Sequence, residues 1–325
     1  MEIFKLYNSL VWKLTDGSLL NALQQKTNNL YHQTDNIEYN KFPGCQPVSI
    51  ERKHINMLTE TTYLVCEKTD GVRYLFVCLK HNDINYCFLY SRKSDIYLLN
   101  FSLNKSNFDN TILDGEIIKN ETDDKSYFVV FDSIIVNNIN LHNKTYKERL
   151  EHINLVTDTY LKKDTDHFEI KKKHIINYSP YTFHEYIKSL LNLNYKTDGF
   201  IFTPNNDSIK TGTHNTMFKF KKQYDNSVDF IIKYENNMFR IYIQNRLLYN
   251  NYIWFDHNVF EIEEEIKKNK QCVVECKLYS QEGINNLWYP VLIRTDKHHS
   301  NSFFCYKKTL LNIKENITIE EFYSI

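Results

Sequence analysis

Five short segments carry side chains whose types and spacing suit nucleophilic and anion-handling chemistry. The first, Cys66-Glu-Lys-Thr-Asp-Gly-Val-Arg73, puts an amine, a carboxylate and a guanidinium around one turn, where Gly71 permits the tight backbone. A lysine is a nucleophile only when neutral, and partial burial beside other cations favours that form. Taken alone the segment also reads as a charged surface turn, since Asp-Gly is good turn chemistry in any protein. The second, Leu113-Asp-Gly-Glu-Ile-Ile118, repeats Asp-Gly and sets a carboxylate in an apolar strand. The third, Lys196-Thr-Asp-Gly-Phe-Ile-Phe-Thr-Pro204, again runs from an acid and a glycine into a strand. In Met217-Phe-Lys-Phe-Lys-Lys222, Lys219 and Lys221 share one strand face at period two. Arg294-Thr-Asp-Lys297 follows a hydrophobic strand further on.

Composition narrows what these segments serve. The 325 residues suggest about two domains, each large enough for a real core. The 40 Lys and Arg balance 40 Asp and Glu, so any polyanion must be gripped locally. Seven glycines assemble neither G-x-x-x-x-G-K-[ST] nor G-x-G-x-x-G, which excludes a P-loop and a dinucleotide fingerprint and leaves phosphates to side chains. The seven cysteines contain no C-x-x-C, so no zinc ribbon or thioredoxin motif is supported. His298 and His299 are adjacent and point to opposite faces of an extended chain, and Glu263-Glu-Glu265 reads as a solvated helix face. The N-terminal stretch lacks the pattern of a signal peptide, and no apolar run approaches the roughly 18 residues of a membrane span. An intracellular protein without a membrane partner is expected.

Periodicity supplies the elements that must position the five segments. Residues 1 to about 60 mix helical periodicity with polar loops, broken by Phe42-Pro-Gly-Cys-Gln-Pro-Val-Ser49. Then YLVCEK, RYLFVCL, NYCFLYS, DIYLLN, TILDGEII and SYFVVFDSIIV, spaced by polar turns, predict a largely antiparallel sheet. Apolar spacings of three and four predict helices over 144–166 and 181–193, before strands resume in GFIFTP and MFKFKK. From about Val228, four short strands interrupted by the helical FEIEEEIKKNK suit a small β-barrel such as an OB-fold, and ITIEEFYSI reads as a closing helix. The expected fold class is α+β. It comprises a domain of antiparallel sheets and helices over 1–228, an OB-fold over 229–312, and a tail over 313–325 available to pack back on the first domain.

In this order, K-T-D-G-x-R, L-D-G-E, F-x-x-F-D, D-G-x-I-F-T-P, F-K-x-K and R-x-D-K resemble the motifs of covalent nucleotidyltransferases: DNA ligases, RNA ligases and mRNA capping guanylyltransferases. They run from Lys68 to Lys297, about 70% of the chain. One K-x-D-G is a weak signal, whereas six motifs in order are specific. Phe42-Pro-Gly-x-Gln-Pro-Val-Ser49, Phe168-x-Ile-x-x-Lys173 and Asn226-Ser-Val-Asp-Phe230 resemble the capping branch. One departure is Lys297-His-His-Ser-Asn301, where that branch usually has K-x-x-P-N; Arg294, Asp296 and Lys297 are nevertheless in place. The length is similar to compact single-function members, with no room expected upstream for a phosphatase or a ligase's DNA-binding domain.

The resemblance implies a ligase-type nucleotidyltransferase domain followed by an OB-fold, and a two-step reaction. Lys68 attacks the α-phosphate of GTP, pyrophosphate leaves, and the 5′-diphosphate end of RNA takes the GMP as a GpppN cap. It implies that Lys219 and Lys221 contact the α-phosphate and depress the pKa of Lys68. Thr69 lies in the nucleotide site, Arg73 and Glu116 hold the ribose, and Arg92 binds phosphate. Asp198, with Glu116, places Mg²⁺ (or Mn²⁺). Phe131 and Ile201 sandwich the base, with plain core packing the open alternative for both. Lys173 reads guanine O6, with a solvated charge run equally open. Arg294, Asp296 and Lys297 orient the pyrophosphate when the OB domain closes. Its aromatic residues either stack RNA bases or are simply half-buried strand residues. The implied partners are 5′-diphosphate RNA, a separate RNA triphosphatase, a cap guanine-N7 methyltransferase and an RNA polymerase, in the nucleus or at a viral replication site. An ATP-dependent DNA or RNA ligase with a lysyl-AMP intermediate, and a catalytically silent RNA-binding scaffold, are the competing expectations.

Overall fold

The runs of β-branched and aromatic residues form strands, and burial on both faces explains why several read as unbroken apolar stretches. A computed structural model describes residues 2–6, 9–32, 42–99, 110–122, 125–154, 156, 169–281, 284–295 and 297–324. The chain forms two units: Met1–Val48, Asn56–Lys219 and Tyr323–Ile325 in the first, and Ser49–Ile55 with Phe220–Phe322 in the second.

Among the described residues, the first unit holds two sheets. The larger has nine strands. Its centre is Ile84–Ser91, Val72–His81, Thr111–Lys119 and Ser126–Val136, paired antiparallel in that order, while Glu169–Lys172 joins Ser126–Val136 in parallel. The smaller sheet runs Ile176–Asn177, Tyr63–Thr69, Thr197–Pro204, Gly212–Phe220, Cys45–Ser49. Alternate residues of the central strands serve different cores. Phe76, Leu89, Leu113 and Phe128 face Leu64 and the helix residues Leu150 and Ile153. Leu75, Val77, Phe88 and Ile134 pack under the helix Gly17–His32 through Leu23 and Tyr31. The helix predicted over 144–166 is formed over Tyr146–Asn154, and residues 157–168 lie outside those described. That predicted over 181–193 is Pro180–Ser189 with a 3-10 turn Leu190–Asn192. Ser179 caps it by accepting from the Thr182 N–H, with Pro180 in the first turn, where it forfeits no hydrogen bond.

The second unit is a six-stranded sheet, ordered Arg246–Leu247, Met238–Ile243, Ser227–Glu235, Gln271–Gln281, Ile284–Ile293, Tyr252–Ile253. The last strand returns beside Met238–Ile243, the curl of an OB-type half-barrel. Phe230, Val274, Cys276 and Trp288 fill it, with Ile266 of the helix Phe260–Asn269. The unit begins at Phe220, ahead of the expected 229, and Phe220 packs there on Phe322 with ring centroids 4.9 Å apart. It also contains a helix not predicted above, Phe303–Glu315, capped by Ser302. The predicted closing helix is only a 3-10 turn, Glu320–Phe322. The tail through Phe322 stays in this unit, where Arg52 donates to the Glu315 carbonyl and pairs with Glu321, whereas Tyr323 clusters with the first unit. No helix among the described residues is long and apolar enough to cross a membrane.

The second Asp-Gly pair lies at a close strand approach in the larger sheet. A Cβ at Gly115 would sit 2.6 Å from Phe128 Cζ and 2.7 Å from the Val129 carbonyl oxygen. Gly115→Ala should therefore destabilise the protein by about 1–3 kcal/mol in denaturant unfolding, the cost of overpacking a core; unchanged stability would contradict this packing.

Candidate active site

Lys68 lies near the end of Tyr63–Thr69, beyond buried Val65 and Cys66. The partner strand Thr197–Pro204 keeps regular register at Phe200↔Glu67 and Ile201↔Cys66, then breaks between Thr197 and Phe200. Asp198 and Gly199 thus oppose the single residue Lys68 in a bulge, and Gly199 has φ 145°, which L side chains rarely adopt. The bulge turns Asp198 toward the amine: Lys68 Nζ donates to Asp198 Oδ1 at 2.7 Å. The two side chains keep 24% and 21% of their surface exposed, so the amine is held but reachable. Cys66, two residues away, is no rival nucleophile, because burial pushes its thiol up to about 12. Ile201 is half-buried on the same sheet face, opposite Cys66.

Around the lysine the motifs converge through long-range contacts. The Thr69 hydroxyl donates to Glu116, and Lys173 Nζ donates to Thr69 Oγ1 at 3.0 Å. Lys173 is 4% exposed, so the lysine run is not one solvated face: Lys171 and Lys172 are exposed and Lys173 is interior. Arg73, opposite Glu116 in register, gives its guanidinium to Asp114, with Nε to Oδ1 at 2.8 Å and NH2 to Oδ2 at 2.5 Å. NH1 donates to the Cys45 carbonyl at 2.6 Å. The group sits 5.3 Å from the Phe42 ring centroid and 5.4 Å from that of half-buried Phe131. Burial opposes its charge, but Asp114 outweighs burial and holds Arg73 cationic above its ordinary value. Next to Asp114 in register, Asp132 takes Arg149 in a second bidentate pair at 2.8 and 3.1 Å. A cavity of about 10 Å³, the size of one water, is lined by both aspartates, Arg149 and His214. Arg92 keeps an exposed side chain, while desolvation of its guanidinium and the like charge of Arg73 lower its pKa against Glu116 and Asp114.

Lys219 is half-buried between buried Phe218 and Phe220, as period two requires, and Lys221 follows in the second unit. In that unit Arg294 NH1 reaches Asp229 Oδ1 at 3.2 Å and Glu275 Oε2 at 3.3 Å, and Lys297 pairs with the same aspartate. Asp296 lies outside the described residues. Ser300, standing where a proline was expected, accepts a hydrogen bond from the Gln244 N–H at 2.9 Å. Asn301 exchanges hydrogen bonds of 2.8 Å with the Asp229 backbone, so the loop is fixed without a proline. Among the described residues no group of three or more His, Cys, Asp or Glu gathers as a metal cage. Motif reading assigned no role to Glu67, Asp114, Asp132 or Asp229, all buried. Their signal was available: an acid inside an apolar strand run is almost never buried unless paired.

Two family models match, one for the mRNA capping enzyme catalytic domain over residues 14–223 and one for its C-terminal domain over 213–323. The chain belongs to the mRNA capping enzyme family. The mRNA-capping enzyme subunit alpha of Yarrowia lipolytica is 31% identical over 211 residues, covering 59% of this chain and 54% of that protein. The Schizosaccharomyces pombe subunit alpha is 27% identical over 325 residues, covering 86% and 78%. The mRNA-capping enzyme of Caenorhabditis elegans is 24% identical over 328 residues, covering 93% and 50%. The chain therefore spans about half the length of the first and third. A solved mycobacterial DNA ligase D complexed with ATP and MES aligns at TM-score 0.47 and 11% identity, covering 80% of this chain and 97% of that one.

Removing one half of the buried pair leaves the other uncompensated, so Asp114→Ala should cost about 3–5 kcal/mol of unfolding free energy. A loss below about 1 kcal/mol would show that Arg73 is not held as described. Acid sensitivity follows from His32, His142 and His214, whose pKa values burial lowers from the usual 6.5. The stability tied to their neutral forms is present above 6.5 and lost as pH falls from there through the depressed folded values. The melting temperature should drop between about pH 7 and pH 5, with a shallower slope in His214→Gln; a flat profile contradicts this.

Proposed function

We propose that this chain is an mRNA guanylyltransferase, transferring GMP from GTP through a lysyl-Nζ–GMP on Lys68 to the 5′-diphosphate end of RNA. The observation that carries this reading is Lys68 held by Asp198 on a strand bulge, in the first unit of a capping-family chain. Asp198 Oδ1, 2.7 Å from Nζ, is the acceptor placed to take the proton the amine must lose. As the Nζ–P bond forms, the bond from phosphorus to the pyrophosphate oxygen breaks. In the second step a terminal phosphate oxygen of the RNA bonds to that phosphorus, the Nζ–P bond breaks, and the amine recovers a proton. Both are displacements in which the protein positions groups and meets developing charge.

Lys219 and Lys221 serve the α-phosphate, and Arg92 the phosphates. Arg73 has two guanidinium N–H groups beyond the three given to Asp114 and Cys45, and with Glu116 it serves the ribose. Phe131 and Ile201 flank the base. Lys173 meets guanine O6, an acceptor, where adenine presents an amino donor, and Thr69 stands beside it in the nucleotide site. Asp198 and Glu116 fit a hard divalent cation such as Mg²⁺, which takes one or two carboxylates and completes its shell with phosphate and water. When bound, that cation neutralises phosphate charge. Arg294, Asp296 and Lys297 serve the leaving pyrophosphate, and Arg294 and Lys297 must then exchange Asp229 for phosphate. An RNA triphosphatase supplies the 5′-diphosphate end, and a cap guanine-N7 methyltransferase takes the product, inside the cell.

Incubation with Mg²⁺ and GTP or ATP labelled at the α-phosphate tests this. A denaturing gel should show protein-bound label from GTP, absent in Lys68→Ala and formed at least about 100-fold more slowly in Asp198→Asn. Label from ATP and not GTP would reassign the chain as a ligase-type adenylyltransferase. Label from neither would leave an RNA-binding scaffold.

A further inference from the structure

We propose that Glu67 is a positioning residue that sets guanine over adenine by holding Lys173 against Thr69, with Tyr186 and Tyr195 holding Glu67. The inference rests on the reading that Lys173 meets guanine O6. Glu67 precedes the nucleophile on the same strand, so its side chain leaves the opposite face, and it is 1% exposed. A carboxylate there is costly unless its oxygens are matched, and each is. The Tyr186 hydroxyl binds Oε2, the Tyr195 hydroxyl donates to Oε1 at 2.8 Å, and Lys173 Nζ lies 3.6 Å from Oε1.

These partners converge on Lys173. Tyr186, on the helix Pro180–Ser189, has its hydroxyl 3.0 Å from the His174 carbonyl and its ring 5.3 Å from the His174 ring, gripping the residue after Lys173. The Lys173 N–H donates to the Val130 carbonyl at 2.8 Å, so its backbone is tied on the other side. An ammonium has three donors. Thr69 Oγ1 takes one and Glu67 faces a second, which leaves one in a fixed direction for an acceptor. Since the Thr69 hydroxyl proton goes to Glu116, a continuous chain runs Tyr195, Glu67, Lys173, Thr69, Glu116 and passes beside the nucleophile without using it. Lys68 keeps its own partner, Asp198, in every step of that chain. Loosening Glu67 therefore frees the donor that sorts the bases and leaves the reacting amine as it was.

The test uses the full chain and compares Glu67→Gln and Tyr195→Phe with wild type, measuring lysyl-nucleotide formation from GTP and from ATP. In Glu67→Gln the KM for GTP should rise about tenfold with kcat changed less than about threefold, and the GTP:ATP ratio of kcat/KM should fall by at least about tenfold. Tyr195→Phe should lower the same ratio by a smaller factor. A Glu67→Gln protein that slows equally with both nucleotides and keeps the wild-type ratio overturns the proposal, because a merely structural acid does not sort bases. If circular dichroism shows Glu67→Gln unfolded, the ratio in Tyr195→Phe decides in the same way. A wild-type chain labelled by neither nucleotide overturns the guanylyltransferase reading itself, a result distinct from an unchanged ratio.

Discussion

The bidentate pair between Arg73 and Asp114 ties together the parts of the first unit that meet at the lysine. It joins neighbouring strands of the larger sheet, reaches the Cys45 carbonyl on the smaller one, and sits 5.3 and 5.4 Å from the ring centroids of Phe42 and Phe131. A buried ion pair of this kind adds little net stability compared with an apolar replacement, but breaking it is expensive. Its effect is one of arrangement. With Asp132 and Arg149 beside it in register, two acids and two arginines fill the space behind the site, and the strands cannot slip without stranding a charge.

The first unit treats its lysines in opposite ways. Lys68 is left near the end of its strand, opposite a bulge, with a carboxylate partner and access to solvent. Lys173 is enclosed, its ammonium met by a hydroxyl and a carboxylate. A group proposed to form a bond needs a path to its substrate, whereas a group proposed to sort bases needs a fixed direction. The second unit shows a related economy at Asp229, one buried carboxylate that holds Arg294, Lys297 and Asn301 together.

Much of this was legible in residue order. The apolar runs marked the strands, because β-branched and aromatic residues suit a pleated, buried surface, and apolar spacing marked the helix that forms over Pro180–Ser189. The helix Phe303–Glu315 was not predicted, although Phe303, Tyr306 and Leu310 recur at helical spacing and pack on the half-barrel core. Lys173 was ambiguous because three lysines in a row look alike until the fold buries one of them.

By itself the sequence singled out the candidate reacting group and, through the order of its motifs, the family whose chemistry it would share. A lysine before Asp-Gly, two further Asp-Gly strand entries and a period-two lysine pair are local patterns, readable without knowing what lies across the sheet. Only the tertiary structure decided the pairings: Lys68 with Asp198 across 130 residues, Lys173 with Thr69 across 104, and Arg73 with Asp114 across 41. The physical reason is that a charge chooses its partner by distance and desolvation, both set by strand register and the bulge at Gly199, and spacing along the chain encodes neither.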